Sequence, residues 1–177
     1  MFRDLRADEI EVRVAQANEY GVSLLLYKDA RCDQNILDET VGAMNWQRYH
    51  TRENANCIVS IWDKEKQMWV AKEDTGTESN TEKEKGLASD SFIRACLNWG
   101  IGRELYTAPV IKVKAQDLSA LKQNGQRWQC FDTFEVQKIA IEKKRIVGLA
   151  IKNTKTKRNC YVWTDEEWAA KNKGQGV

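Results

Sequence analysis

One proline, Pro109, and one histidine, His50, stand in a chain of 177 residues, and each scarcity excludes something. With a single imidazole, Ser-His-Asp or Cys-His catalysis could run only through His50, for which an exposed bystander role at a strand end is the simpler reading. Cys32, Cys57, Cys96, Cys130 and Cys160 are an odd number without the close spacing of a zinc or redox site, and buried thiols of a reducing compartment account for them. A GxxxxGK[ST] phosphate loop is missing, and the glycines of NWGIGREL follow a helix instead of joining a strand to one. Nucleotide hydrolysis therefore has no support. No run is apolar for long enough to span a bilayer, and the opening MFRDLRADEIEV lacks the apolar stretch of a signal peptide. A cytoplasmic protein with no membrane partner, no metal and no cofactor is expected.

Hydrophobic residues at 42% and charged residues at 31% leave enough apolar surface for a core. The net charge of +2 says little, because its distribution matters more. From Lys138 to Arg158 the basic residues Lys138, Lys143, Lys144, Arg145, Lys152, Lys155, Lys157 and Arg158 are opposed only by Glu142. Such a stretch is either a solvated face or a surface for phosphate or a protein partner.

Periodicity predicts an N-terminal helix over Asp8–Glu19 with Ile10, Val14 and Ala17 on one stripe, then a strand in GVSLLLYKDAR. Asp33 can cap a short helix carrying Ile36, Leu37 and Val41, closed by Gly42. MNWQRYH, NCIVSIWD and QMWVAKED read as three strands, with Cys57, Val59 and Ile61 on one face. Thr81 and Glu84 form a capping box ahead of a long helix whose stripe is Ala88, Phe92, Ala95 and Trp99. After Pro109 come a strand in VIKVKA, a short helix in DLSALKQN, a hairpin of FEVQKIAIE and RIVGLAIKN around Lys143 and Lys144, and a strand in NCYVW. A second capping box, Thr164 with Glu167, precedes a last helix. The fold expected is α+β: an antiparallel β-β-β meander with a long helix packed across it in residues 1–109, and a small β-rich C-terminal extension in residues 110–177.

Two chemistries can be built from what is present. Asp63, Asp74, Glu78 and Asp90 are the carboxylates of a metal-dependent nuclease, although their spacing does not show convergence. Arginines among aromatics are the other: Arg31 after the first strand, Arg48 beside Trp46, Arg94 on the long helix and Arg103 in its exit. Arg94 has a bland partner in Asp90 and Arg103 in Glu104 or the last helical carbonyls. Trp62, Trp69 and Trp99 read as core, and Trp128 in NGQRWQ does not.

The order DARCDQNILDETVGAMNW, EDTGTES, EKEKGLASDSFIRACLNWGIGRELY resembles the single-strand annealing recombinases of the Rad fifty-two type, in their phage and prophage version. The resemblance covers about Asp8 to Pro109, and its most specific pieces are Asp90 with Arg94, Trp99-Gly100 and Leu105-Tyr106. It implies a β-β-β-α core that assembles into rings or filaments, holds single-stranded DNA in a basic groove and anneals it to its complement without ATP, in recombination and repair. It carries Arg31 over as a groove residue just before the short helix and Arg94 as the groove arginine of the long helix. The better-known eukaryotic members have further basic residues near that arginine, whereas here Ile93 precedes it and Leu97 lies one turn on. Arg48, Lys72, Lys85, Arg103, Lys112 and Lys114 are the candidates to supply the missing charge. The resemblance places the protein in a bacterial host, phage or prophage encoded. A single-strand-binding protein is a further partner for the basic hairpin, and a DNA-repair interaction module without annealing activity is the alternative beside the nuclease.

Overall fold

The computed structural model describes residues 1–77 and 83–172, without the side chains of 83–85. Thr81, the head of the expected capping box, and the end at 173–177 fall outside the described residues. The chain is α+β, with every strand pair antiparallel. It divides into two compact units, Met1–Asp4 with Asp29–Arg103, and Leu5–Lys28 with Glu104–Val177. Residues 5–28 and 104–109, inside the segment 1–109, thus count with the second unit.

The helix expected over Asp8–Glu19 does not form. Ala7–Glu9 makes one 3-10 turn and strand β1 (Glu11–Asn18) follows. Ile10, Val14 and Ala17 fit a helical stripe, but Val12 and Val14 also alternate with exposed Glu11 and Arg13, and β-branched side chains favour the pleat. Strand β2 (Gly21–Tyr27) decides between the two periods by setting Leu26 opposite Val12 and Leu24 opposite Val14.

In the first unit, helix α1 (Ala30–Val41) starts on Asp29, whose carboxylate accepts the Cys32 amide at 2.9 Å. The cap is therefore one turn earlier than Asp33, which is fully buried in the first turn. Strands β3 (Trp46–Thr51), β4 (Asn56–Asp63) and β5 (Met68–Thr75) form a three-stranded sheet in that order. Cys57, Val59 and Ile61 are its buried face, and helix α2 (Lys83–Asn98) contacts β4 and β5. Phe92 and Ala95 bury completely, as do Ser91 and Cys96, which the expected stripe omits. Gly76, at the exit of β5, shows how closely the chain approaches α2. A Cβ there would lie 2.6 Å from the Ser91 amide nitrogen, so only glycine fits without a shift.

In the second unit the chain adds β6 (Ile111–Lys114), β7 (Leu121–Asn124), β8 (Arg127–Cys130), β9 (Phe134–Glu142), β10 (Arg145–Asn153) and β11 (Arg158–Thr164). The six-stranded sheet runs β11-β10-β9-β1-β2-β6, so strands from after Pro109 share one sheet with the N-terminal hairpin. Its edge strands β6 and β11 touch, curling it toward closure, and Tyr161 Oη donates to the Val110 carbonyl at 3.5 Å. DLSALKQN is not a helix: β7 pairs with β8 through a turn at Asn124-Gly125, with Gly125 at φ 61. Asn-Gly is a strong hairpin signal that overrides the helical spacing of Leu118 and Leu121. The cap of helix α3 (Glu166–Lys171) is Asp165, whose carboxylate accepts the Trp168 amide at 3.0 Å, in place of the Thr164 and Glu167 box.

One buried carboxylate ties this unit together. Asp132 accepts the Ser119 amide at 2.7 Å, the Ser119 hydroxyl at 2.6 Å and Asn153 Nδ2 at 2.9 Å. Burial alone would raise its pKa, but those bonds, with the Ala120 amide, outweigh it and hold the carboxyl below the ordinary range.

Candidate nucleic-acid interface

Directly opposed residues of an antiparallel ladder share a face, so the register of β3, β4 and β5 sorts the candidate cations. Trp46, Ile61 and Val70 form one row; Arg48, Val59 and Lys72 the next; His50, Cys57 and Asp74 the third. Val59 and Cys57 have no exposure at all, and Arg48 and Lys72 stand on either side of Val59 at the outer strands. The Arg48 guanidinium lies over the Phe92 ring of α2 at 4.7 Å, and Lys72 Nζ lies 4.6 Å from the Trp99 ring centre. Each stem covers helix side chains while its head stays near water.

The end of α2 gathers charge. Lys72 Nζ donates to the Asn98 carbonyl at 2.8 Å; Arg103 donates to the same oxygen at 3.0 Å and to the Leu97 carbonyl at 2.6 Å. Of the two bland partners for Arg103, the helical carbonyls are the ones it uses, and Glu104 instead accepts the Leu5 amide at 2.8 Å. Cations at a helix C-terminus meet the negative end of the macrodipole. Among the described residues no carboxylate pairs with Arg48, Lys72 or Arg103.

Arg94 does not pair with Asp90. Its Nε is 3.5 Å from an Asp74 carboxylate oxygen on β5, without hydrogen-bond geometry, while Asp90 accepts the Thr77 amide at 2.7 Å. The side chain keeps 40% of its exposure, so its outer nitrogens reach the surface. Arg31 lies inside the first turn of α1, not before the helix; its side chain is 85% exposed and bonded to Asp29 at 2.8 Å. Lys112 and Lys114 are the exposed residues of β6, alternating with buried Ile111 and Val113, and belong to the second unit. The side chain of Lys85 is outside the described residues.

Arg48, Lys72, Arg94 and Arg103 thus surround α2 in one unit. The rest of the basic charge is dispersed. Lys143, Lys144 and Arg145 sit at one end of β10 and Lys155, Lys157 and Arg158 at the other, about 30 Å apart along a nine-residue strand. Lys152 pairs with Glu135 at 3.2 Å and Arg145 with Asp165 at 3.0 Å. The stretch from Lys138 to Arg158 is therefore not one patch.

The titratable groups of the third row are structural. Ser91 Oγ donates to the Asn54 carbonyl at 2.9 Å and lies 3.4 Å from His50 Nδ1. Burial, and then the Arg48 charge, lower the His50 pKa. Burial pushes the Cys57 thiol up to about 11 against the opposing pull of Arg48. Of the nuclease carboxylates, Asp63 receives the Glu65 and Lys66 amides at 3.0 and 3.1 Å, Asp74 and Asp90 are engaged as above, and Glu78 is outside the described residues. Among the described residues no three His, Cys, Asp or Glu side chains come together as a cation site requires.

The tryptophans do not form one core group. Trp99 donates its indole N–H to the Val59 carbonyl at 3.1 Å beneath Lys72, whereas Trp69 is 40% exposed on the far face of the sheet, against the core reading. No protein-family model, curated protein or solved structure matches the chain.

Proposed function

We propose that the unit containing α2 is the β-β-β-α core of a single-strand annealing protein, which binds single-stranded DNA along the cations around α2 and promotes pairing of complementary strands without ATP. The observation that carries the reading is the convergence of Lys72 and Arg103 on the Asn98 carbonyl, with Arg48 in the same cross-strand row as Lys72 and Arg94 on the helix. Two cations on one neutral oxygen repel each other, and a phosphate against both would relieve that repulsion. Phosphate contacts carry no sequence information and leave base edges open, which is what annealing requires. The sequence resemblance supports the same assignment for Arg31 and Arg94.

Assembly into rings or filaments belongs to this proposal. Strands β3 and β5 are both outer strands of a three-stranded sheet, and such edges offer unpaired backbone groups to a neighbouring copy. Annealing of complementary oligonucleotides, followed by fluorescence quenching without ATP at low and high salt, tests the function. Acceleration at low salt that fades as salt rises is expected; no acceleration at low salt removes the proposal.

A further inference from the structure

The face of the β3, β4 and β5 sheet turned away from α2 carries a set of side chains unlike a core. Its rows are Gln47, Ser60 and Ala71, then Tyr49, Ile58 and Glu73, with Trp62 opposite Trp69 near the β4 to β5 turn. Tyr49 is 68% exposed and Trp69 40%. Trp62 and Trp69 meet edge to face at 5.6 Å and 67°, an arrangement that leaves ring faces open to a further partner. Exposed aromatics grouped on one sheet face mark a binding surface.

We propose that this face, centred on Trp69 with Trp62 and Tyr49, is a stacking platform for the unpaired bases of single-stranded nucleic acid. The proposal rests on the single-strand reading above and names the contact that bases make.

The composition selects flat rings over a protein partner. Ile58 is the one branched aliphatic side chain in these rows, and Gln47 and Ser60 are polar, so an aliphatic knob would find little to pack against. Every base has a π-face that a tryptophan accepts regardless of sequence. The β4 to β5 turn at the tryptophan end carries exposed Lys64, Glu65 and Lys66, the last paired with Asp63 at 3.2 Å, so its charges balance and the face offers stacking while the cations around α2 hold phosphate. The one carboxylate of these rows, Glu73, stands in the Tyr49 row, two strands from Tyr49 and about 13 Å along the strand from Trp69, and accepts Asn56 Nδ2 at 3.3 Å. Lys72 and Trp69 lie on opposite faces of β5, so a strand held by phosphate at Lys72 reaches the platform around the β4 to β5 turn, where Trp69 stands, and leaves the outer edge of β5 to a neighbouring copy. Stacking uses base faces and leaves the pairing edges free, so it is compatible with annealing.

The test compares a thymidine oligonucleotide with an abasic strand of equal length, by fluorescence anisotropy at low salt. Wild type is expected to bind the thymidine strand at least about fivefold more tightly than the abasic strand. Trp69→Ala should remove most of that difference without changing abasic binding, and Trp69→Phe should keep it. Tyr49→Ala, at a more exposed position, carries the same test if Trp69→Ala does not fold. Equal loss on both strands, or wild-type affinity for both, overturns the platform while the single-strand reading stands. A variant whose sedimentation shows a smaller assembly also overturns it, since the face is then an interface between copies. If wild type binds neither strand, the single-strand reading itself fails and the platform with it.

Discussion

Lys72 and Arg103 donate to the same acceptor, the Asn98 carbonyl oxygen at the end of α2, at 2.8 and 3.0 Å. They approach from β5 and from the exit of the helix, 31 positions apart by subtraction of their numbers.

Lys72→Ala and Arg103→Ala are each expected to weaken binding to single strands of any sequence. If each cation neutralises one phosphate, each variant also flattens the dependence of log affinity on log salt by about 0.7. Titration of a labelled oligonucleotide over a range of salt reads this slope. An unchanged slope in both variants takes the pair out of the interface.

Arg94 answers to Asp74, not to its helical neighbour. In a double-mutant cycle, Asp74→Asn and Arg94→Ala should couple by about 0.5–1 kcal/mol, the range for a partly exposed ion pair. Asp90→Asn should show no coupling to Arg94→Ala, although it loses the Thr77 amide bond. Urea unfolding of the five variants and wild type measures both terms. The reverse pattern of couplings would restore Asp90 as the partner.

Gly76→Ala places a methyl group 2.6 Å from the Ser91 nitrogen, a backbone atom that cannot rotate away. A loss of about 1–3 kcal/mol is expected, as for other overpacked sites. Thermal unfolding checks it, and a variant as stable as wild type means that the strand exit is free to move off α2.

The Asp132 carboxyl is held below its ordinary pKa in the folded chain, so its contribution is fully present above the unfolded value. It is lost as pH falls through the folded value, below about pH 4. Stability of the wild type should therefore fall on acidification more steeply than that of Asp132→Asn, which has no proton to take up there. The substitution lowers stability at neutral pH by about 1–3 kcal/mol, because one of the two accepting oxygens of buried Asp132, shared among Ser119 and Asn153, becomes an NH2 that cannot accept. Parallel acid-unfolding slopes for the two proteins would remove Asp132 from the pH response.

Local pattern made some of this legible. The hairpin of β9 and β10 falls where FEVQKIAIE and RIVGLAIKN place it, because both runs keep the period of a strand and Lys143 and Lys144 take up the turn at φ 50 and 63. The alternation of Cys57, Val59 and Ile61 is likewise visible in five residues. The N-terminal strand was ambiguous because Ile10, Val14 and Ala17 satisfy two periods at once; only the distant partner Leu24 selects between them. The Asn124-Gly125 signal was present and outweighed the helical spacing around it. In the candidate site, sequence identifies Arg94 and Arg103 as individuals but not their partners. Asp74 and Lys72 come from β5, and a contact between a strand and a later helix leaves no trace in local spacing. The exposure of Trp69 is hidden for the same reason: a three-stranded sheet with one face covered and one open has the same alternation whichever face is which.

The placement of β1 and β2 between β9 and β6 also bears on how the chain is made. These two strands are synthesised before the strands they join, so β1 waits for β9 and β2 for β6, with Asp29–Arg103 of the α2-bearing unit emerging in between. During that interval the hairpin has open edges on both sides and no sheet to join. A product cut short after Pro109 would keep the hairpin in that state for good. It should therefore be prone to aggregate even though every residue around α2 is intact.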